Sequence, residues 1–411
     1  MPTAAKWTVM IYLAGDNNLS GAGPIDLAEM RRVGSSADVN LLAQFDSPGD
    51  AGARRYRIER GGLNEQAEAL GVIDSGDPQV LSDFIGWSVE KFPAERYALV
   101  LWNHGGGWAP TEMDRVARSV NAQQFTVREA NERAASRLGR VLFRTSLEKI
   151  FSLPTPAERA ICSDDCSGHS LDTLELSSVL ERAVGVLGRP FDLLGMDACL
   201  MSNLEVAYEV QAYVRYIVAS EENEPAEGWP YDRVLQQIVD HPDLPTGDLA
   251  AHIVNSYIDS YLARHFSGPV TQSAFDLSRI DQVAGPLDEL VESLLGLMPD
   301  VSYKLWQAQR RSASFFYATL WDIGQFCEEL EKQDQSDAVK QATQKVAKAL
   351  QAGKEQFVIA EAHSGPTVAR CCGVNIYLQP PLLSAISRYY ADLQFAKKHR
   401  WLDLLKAYHA A

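Results

Sequence analysis

The sequence predicts an α/β fold: a mostly parallel central sheet with helices on both faces, followed by a largely helical C-terminal region. Three observations carry that reading. Short β-branched and apolar runs alternate with helix-period stretches through the first two-thirds of the 411 residues, the pattern of βαβ units. Those runs are nearly continuously apolar, as strands buried on both faces are. Beyond about residue 266 the texture turns mostly helical.

Taken in order, "WTVMIYLAG" (7–15) is the first predicted strand and "PIDLAEMRRVG" the first helix. "VNLLAQFD" (39–46) is the second strand, "VLSDFIGWSVEKF" the next helix and "YALVLWN" (97–103) the third strand. After a long segment come the helix "LDTLELSSVLERAVG" and the strands "FDLLGMDA" (191–198) and "YIVASE" (216–221). "PVTQSAFDLS" (269–278) and "GVNIYLQP" (373–380) read as late strands, 279–352 as mostly helical, and "AISRYYADLQFAKKHRWLDLLKAYHA" as one closing helix. This divides the chain into an α/β domain at 1–265 and a C-terminal region at 266–411 whose strands would extend the sheet. Residues 109–160 interrupt the pattern as an insertion with eight arginines and one lysine. Connections this long are usually functional.

Composition narrows the function classes. Hydrophobic residues make up 46% and charged residues 22%, ordinary for a globular chain with a sizeable core. A formal charge of -16 argues against a nucleic-acid surface. No apolar run approaches the roughly 18 residues of a membrane span. The start, "MPTAAKWTVMIYLAG", lacks a basic region and a small-residue cleavage site, and six cysteines make no disulfide framework in a chain this long. A cytoplasmic location is the expectation.

Ligands of open parallel sheets sit beyond the carboxyl ends of the strands. His104 lies just past one such end, in "YALVLWNHGGGW", and Cys199 just past another, in "LLGMDACLMSNLEVAYEV". A thiol between a strand end and a helix N-terminus is expected to have a lowered pKa, and an imidazole on the neighbouring strand end completes a nucleophilic pair. Glycine after the histidine lets backbone approach a substrate and turn an N–H toward an oxyanion.

Competing readings of these residues are weaker. "HGGGW" has neither the phosphate-loop nor the dinucleotide-loop spacing. The lipase-type oxyanion loop fits better, but its G-x-S-x-G partner is absent; "GHSLD" around Ser170 is the nearest substitute. Cys162, Cys166 and His169 have irregular spacing for zinc, and the adjacent Cys371 and Cys372 read as structural, so no metal ligands are assigned. A non-catalytic scaffold whose cleft binds a partner is a further alternative, weakened by the presence of both His104 and Cys199.

With these stretches in hand, the sequence resembles the clostripain family of cysteine peptidases, within the caspase-like superfamily. "WTVMIYLAGDNNLS", "LVLWNHGGGW", "DDCSGHSLDTLEL", "LLGMDACLMSNLEVAYE" and "ASEENEPAEGWPYDRVL" match in the family's order, with "SAFDLS" and "GVNIYLQP" as weaker matches. The resemblance implies a caspase-like α/β/α sandwich and a dyad of His104 and Cys199. It also implies an oxyanion hole from the Gly105 and Cys199 N–H groups, and cleavage of protein or peptide substrates after Arg or Lys. Asp197 would stand at the base of the specificity pocket. Residues i and i+2 of an extended segment face one side, so Asp197 can share a cleft with Cys199, and a carboxylate there takes a guanidinium through two hydrogen bonds. Glu221 or Glu222 would add to that pocket. Family resemblance further suggests activation by self-cleavage within 109–160, at a bond between Arg115 and Arg159. Calcium dependence is another family trait; the chain shows no EF-hand spacing, so Ca2+ is left without a placed site and the sequence requires no cofactor.

Overall fold

The computed structural model describes residues 4–17, 19–47, 52–62, 65, 67–108, 171–315, 319–333, 336–381 and 385–411. The 109–160 insertion, Cys162, Cys166, His169 and Ser170 lie outside the described residues.

Five strands form the parallel heart of a nine-stranded sheet: β1 (Ala5–Ala14), β2 (Val39–Asp46), β5 (Ala94–Trp102), β6 (Phe191–Asp197) and β7 (Val214–Ala219), in the order β2-β1-β5-β6-β7. Antiparallel pairs close both edges. β3 (Ala53–Arg57) and β4 (Ala67–Gly71) follow β2, while β8 (Val270–Asp276) and β11 (Val358–Ser364) follow β7.

Each central strand sends alternate side chains to two different cores. From β1, Met10 and Tyr12 join Phe84 and Ile85 of α2 (Pro78–Lys91) and Leu176 and Leu180 of α3 (Thr173–Leu187). Trp7, Val9, Ile11 and Leu13 face the other way. They meet Leu27 and Met30 of α1 (Gly23–Val33), Val234 and Leu235 of α5 (Tyr231–Asp240), and Ile253 and Val254 of α6 (Thr246–Ala263). Burial on both faces explains why these strands read as unbroken apolar runs, each large side chain contributing about 1.5–3 kcal/mol. The result is the α/β/α sandwich expected from the sequence.

C-terminal helices extend the first of these cores. Leu287 and Leu290 of α7 (Asp281–Leu295), Leu305 of α8 (Ser302–Arg311), Phe326 of α9 (Ile323–Gln333) and Val339 of α10 (Asp337–Ala349) all belong to it. "GVNIYLQP" contributes only β12 (Asn375–Tyr377). It pairs with β10 (Leu320–Asp322) in a separate three-stranded sheet with β9 (Ser314–Phe315), rather than extending the large one. The expected single closing helix is broken into a 3-10 turn (Arg388–Asp392), α11 (Gln394–Lys398) and α12 (Trp401–Ala410). Tertiary hydrogen bonds replace helical ones at the breaks. Glu209 takes the Gln394 N–H at 2.8 Å, and Asp288 takes both His399 Nδ1 and the Arg400 N–H at 2.8 Å. Among the described residues, no helix is long and apolar enough to cross a membrane.

Candidate active site

The register of β5 on β6 pairs Trp102 with Asp197, so the chain continues two residues on each strand to bring His104 and Cys199 side by side. Asn103 fastens the loop between. Its N–H donates to the Asp197 carbonyl at 3.3 Å, its Nδ2 to the Ala14 carbonyl at 2.6 Å, and its Oδ1 accepts the His104 N–H. One amide side chain thus ties the loop after β5 to β1 and holds the backbone of the histidine beside it.

Gly105 lies directly on Cys199. A Cβ at Gly105 would stand 2.0 Å from the Cys199 carbonyl oxygen, so no side chain fits there. Further along, Trp108 is buried edge-on against Tyr377 and Tyr390, at 4.8 and 4.9 Å between ring centres, which anchors the glycine loop to the C-terminal region.

Cys199 is 7% exposed. The Glu224 N–H points at its Sγ from 3.3 Å, and the Gly105 N–H also bonds the sulfur. Leu200, next in the chain, has φ 65°, a left-handed conformation that marks strain in a residue with a Cβ. The expected helix begins only at α4 (Leu204–Val210), capped by Asn203, whose Oδ1 accepts the Val206 N–H at 3.1 Å. The thiol is therefore not at a helix N-terminus, and its pKa is raised rather than lowered. Burial is the main cause, pushing it up to about 12; the charges of Glu224 and Glu222 add to this and the two N–H groups oppose it.

Asp197 forms the closed end of the same cleft. It is 5% exposed, and its Oδ2 accepts the Trp229 N–H at 3.2 Å and the Tyr231 hydroxyl at 2.8 Å. Gly228, at φ 53°, leaves room for it; a Cβ there would reach within 2.9 Å of the carboxylate. Glu224 enters from the loop after β7 and meets Asp197 side chain to side chain. Burial and the Asp197 charge hold Glu224 well above the usual carboxylate range, so Glu224 keeps the proton that the pair shares. Gln272 Nε2 donates to Glu224 Oε1 at 3.1 Å. A third carboxyl, Asp26 of α1, is buried close enough to feel Asp197; burial first, then that charge, raises it to about 9.

The cleft is small, about 20 Å³, and His104, Asp197, Cys199, Glu224 and Gly228 all line it together with Leu19 and Trp102. Glu221 and Glu222 do not. The chain leaves β7 at Ala219 and turns, with the Thr271 hydroxyl accepting both the Glu221 and Glu222 N–H groups at 3.0 Å. Glu221 is directed instead to the Gly373 N–H, 3.1 Å away, and Glu222 Oε1 accepts the Asn223 N–H at 2.8 Å. Of the acidic run "SEENEPAEGW", the carboxyl that lines the cleft is Glu224. Asn103 and Asp26 gave no sequence signal of their own.

An α/β/α sandwich bearing a buried thiol and an imidazole at the carboxyl ends of adjacent parallel strands is of the caspase-like class. The chain belongs to the clostripain family, whose profile matches residues 11–131 and 152–408. It is 26% identical over 339 residues to clostripain of Hathewaya histolytica, a match covering 70% of this chain and 56% of that protein. The chain thus spans little more than half the length of that relative. Among solved structures, a secreted C11 cysteine protease of Bacteroides thetaiotaomicron in complex with an irreversible peptide inhibitor aligns with TM-score 0.66 at 17% identity, covering 98% of this chain and 99% of that one. An inactive zymogen C11 protease of Parabacteroides distasonis aligns with TM-score 0.66 at 21% identity over 97% and 99% of the two chains. Both likenesses concern the fold.

Proposed function

We propose that the protein is a cysteine endopeptidase cleaving after Arg or Lys. The observation that carries this reading is one cleft holding a thiol, an imidazole-bearing loop and a buried carboxyl pair at its closed end. The P1 side chain extends past Cys199 to Asp197 and Glu224, where a guanidinium supplies the charge that the pair lacks. His104 takes the Cys199 proton as the sulfur attacks the scissile carbonyl carbon. The N–H groups of Gly105 and Cys199 face the oxyanion that forms. His104 then returns the proton to the departing amine, leaving a thioester on Cys199. Water, deprotonated by His104, attacks that thioester and frees the acid product and the thiol.

The high thiol pKa fits this order of events: the proton leaves sulfur when substrate and imidazole are both in place, not before. Mass spectrometry after treatment with an arginine acyloxymethyl ketone tests the reading. Modification at Cys199 supports it, and modification confined to other residues overturns it. Activation by self-cleavage within 109–160 completes the proposal, since that insertion supplies bonds of the type the cleft would accept, from Arg115 to Arg159.

A further inference from the structure

A second polar cluster lies outside the cleft, where the large sheet, the three-stranded sheet and the loop before β12 converge. Glu221, Asp322 and Cys371 each present one ligand atom there, and these atoms lie within 4.8 Å of one another. All three residues are buried, Glu221 and Asp322 completely. Each group is already oriented by an N–H donor. Asp322 Oδ1 accepts from the Gln325 N–H and Oδ2 from the Cys372 N–H, both at 2.6 Å; Glu221 Oε2 accepts from the Gly373 N–H at 3.1 Å; Gln325 Nε2 reaches Cys371 Sγ at 3.5 Å. Among the described residues no N–H reaches Glu221 Oε1, and the carboxyl meets Asp322 side chain to side chain. Two glycines permit this approach. A Cβ at Gly324 would stand 2.9 Å from Cys372 Cβ, and one at Gly373 would stand 2.7 Å from Glu361 Cγ.

Two carboxylates and a thiol packed together need a positive charge or a retained proton. Among the described residues, the leading influences on Glu221 and Asp322 are burial, other carboxyls, Cys372 and N–H donors, and none of them is a lysine or arginine. The neighbouring cation Arg370 is paired with Glu328 and Glu329. A retained proton bridges Glu221 and Asp322 but leaves the Cys371 sulfur out, whereas a divalent cation draws on all three groups at once. The donor set selects the metal. Ca2+ and Mg2+ take oxygen ligands, whereas a sulfur with two carboxylates suits a borderline ion. Bonds of 2.0–2.3 Å at tetrahedral angles separate zinc ligands by roughly 3.3–3.8 Å, so these atoms need close by only about 1 Å.

We propose that Glu221, Asp322 and Cys371 form a site for a divalent transition metal of the Zn2+ type, with the adjacent Cys372 thiol available as a fourth ligand. Binding releases the Cys371 proton and whatever proton the carboxyls share, with no change of oxidation state. The role is structural. Glu221 begins the turn whose next residues hold the cleft wall, Glu222 accepting the Leu200 N–H at 3.3 Å and Glu224 donating to Cys199 Sγ. A metal here would tie that turn to β10 and to the Cys371 loop. The N–H groups on the carboxylates are the kind of outer partners that orient metal ligands.

The test uses the full chain carrying Cys199→Ala, which removes the competing cleft thiol. The protein is stripped with chelator, reloaded with Zn2+ or Co2+, desalted, and examined by elemental analysis, cobalt absorption and thermal melting. About one equivalent of metal, a thiolate-to-cobalt charge-transfer band and a raised Tm are expected. Cys371→Ser should abolish the band and cut retained metal roughly tenfold, and the near-isosteric Glu221→Gln should weaken retention while leaving the fold intact by circular dichroism. Retention below about a tenth of an equivalent overturns the proposal. So does a cobalt band unchanged in both variants, which would place the metal on other cysteines such as Cys162 and Cys166.

Discussion

At the Cys199 sulfur, two facts pull in opposite directions: N–H groups that favour a thiolate and burial that forbids one in the free protein. Burial wins, so iodoacetamide should alkylate Cys199 slowly near pH 7, with a rate that climbs through the alkaline range, because only the thiolate reacts. Mass spectrometry of the Cys199 peptide across pH measures this, and a plateau already reached near pH 7 would contradict it. Next to the sulfur, Gly105→Ala should abolish activity, since its Cβ has no place 2.0 Å from the Cys199 carbonyl oxygen. Loss of peptidase turnover with at most a modest fall in Tm is the expected signature. Deeper in the cleft, Asp197→Ala leaves a substrate guanidinium without its counter-charge. Breaking a buried charge pair costs about 2–5 kcal/mol, so kcat/KM on Arg substrates should fall roughly 30- to 5,000-fold. Normal cleavage of Arg substrates would remove Asp197 from the pocket. His104 and Cys199 were legible because each stands just past a recognisable strand, and Asp197 because it is the last residue of one. Glu224 was not, because the period-2 rule lapses where the chain leaves β7 and a turn set by Thr271 decides which carboxyl enters.

Helix α1 shows how an element's buried face can carry a titratable group. Asp26 packs with Leu27 and Met30 against the sheet, and burial raises its pKa from an ordinary carboxylate value to about 9. The folded protein therefore binds a proton there that the unfolded chain releases, from about pH 4 up to about pH 9. Stability from this residue is present below that window and is lost as pH rises through it. Asp26→Asn removes the dependence, so the variant's Tm relative to wild type should rise steadily from pH 4 toward pH 9. Calorimetry at several pH values checks this; a difference that shrinks as pH rises would reverse the sign and refute the burial argument. The same helix was readable from sequence because its apolar spacing is regular. The edge strands β3 and β4 were not: β4, "AEALG", is almost wholly exposed and has no apolar face to betray it. The closing helix misled for the opposite reason, its periodicity being sound while Glu209 and Asp288 outbid it locally for backbone N–H groups.

Across the whole molecule, the insertion at 109–160 joins two neighbouring strands of the sheet's parallel heart. β5 and β6 are hydrogen-bonded from Ala98–Leu193 to Trp102–Asp197, and residues from both sides of the insertion share both cores. Cutting the chain between them removes one covalent link but none of those pairings. A cut after any basic residue from Arg115 to Arg159 leaves an N-terminal piece carrying β1 to β5, expected to remain folded against the rest. Purified wild-type protein should therefore run as two bands under denaturing conditions and as one species in size-exclusion chromatography. The origin of the cut then decides the mechanism. A contaminating protease could also cut the chain, so two bands alone prove little. Self-cleavage requires the Cys199 sulfur, and Cys199→Ala should stay one chain under identical expression and handling. Adding active wild-type protein to that variant separates intramolecular from intermolecular cutting: conversion only at a rate that scales with added enzyme marks cleavage in trans. Edman or mass-spectrometric reading of the new N-terminus should place it after Arg or Lys, matching the carboxyl pair of Asp197 and Glu224. Equal nicking of the wild-type and Cys199→Ala chains, or a new terminus that follows a neutral residue, would separate the insertion from the enzyme's own chemistry.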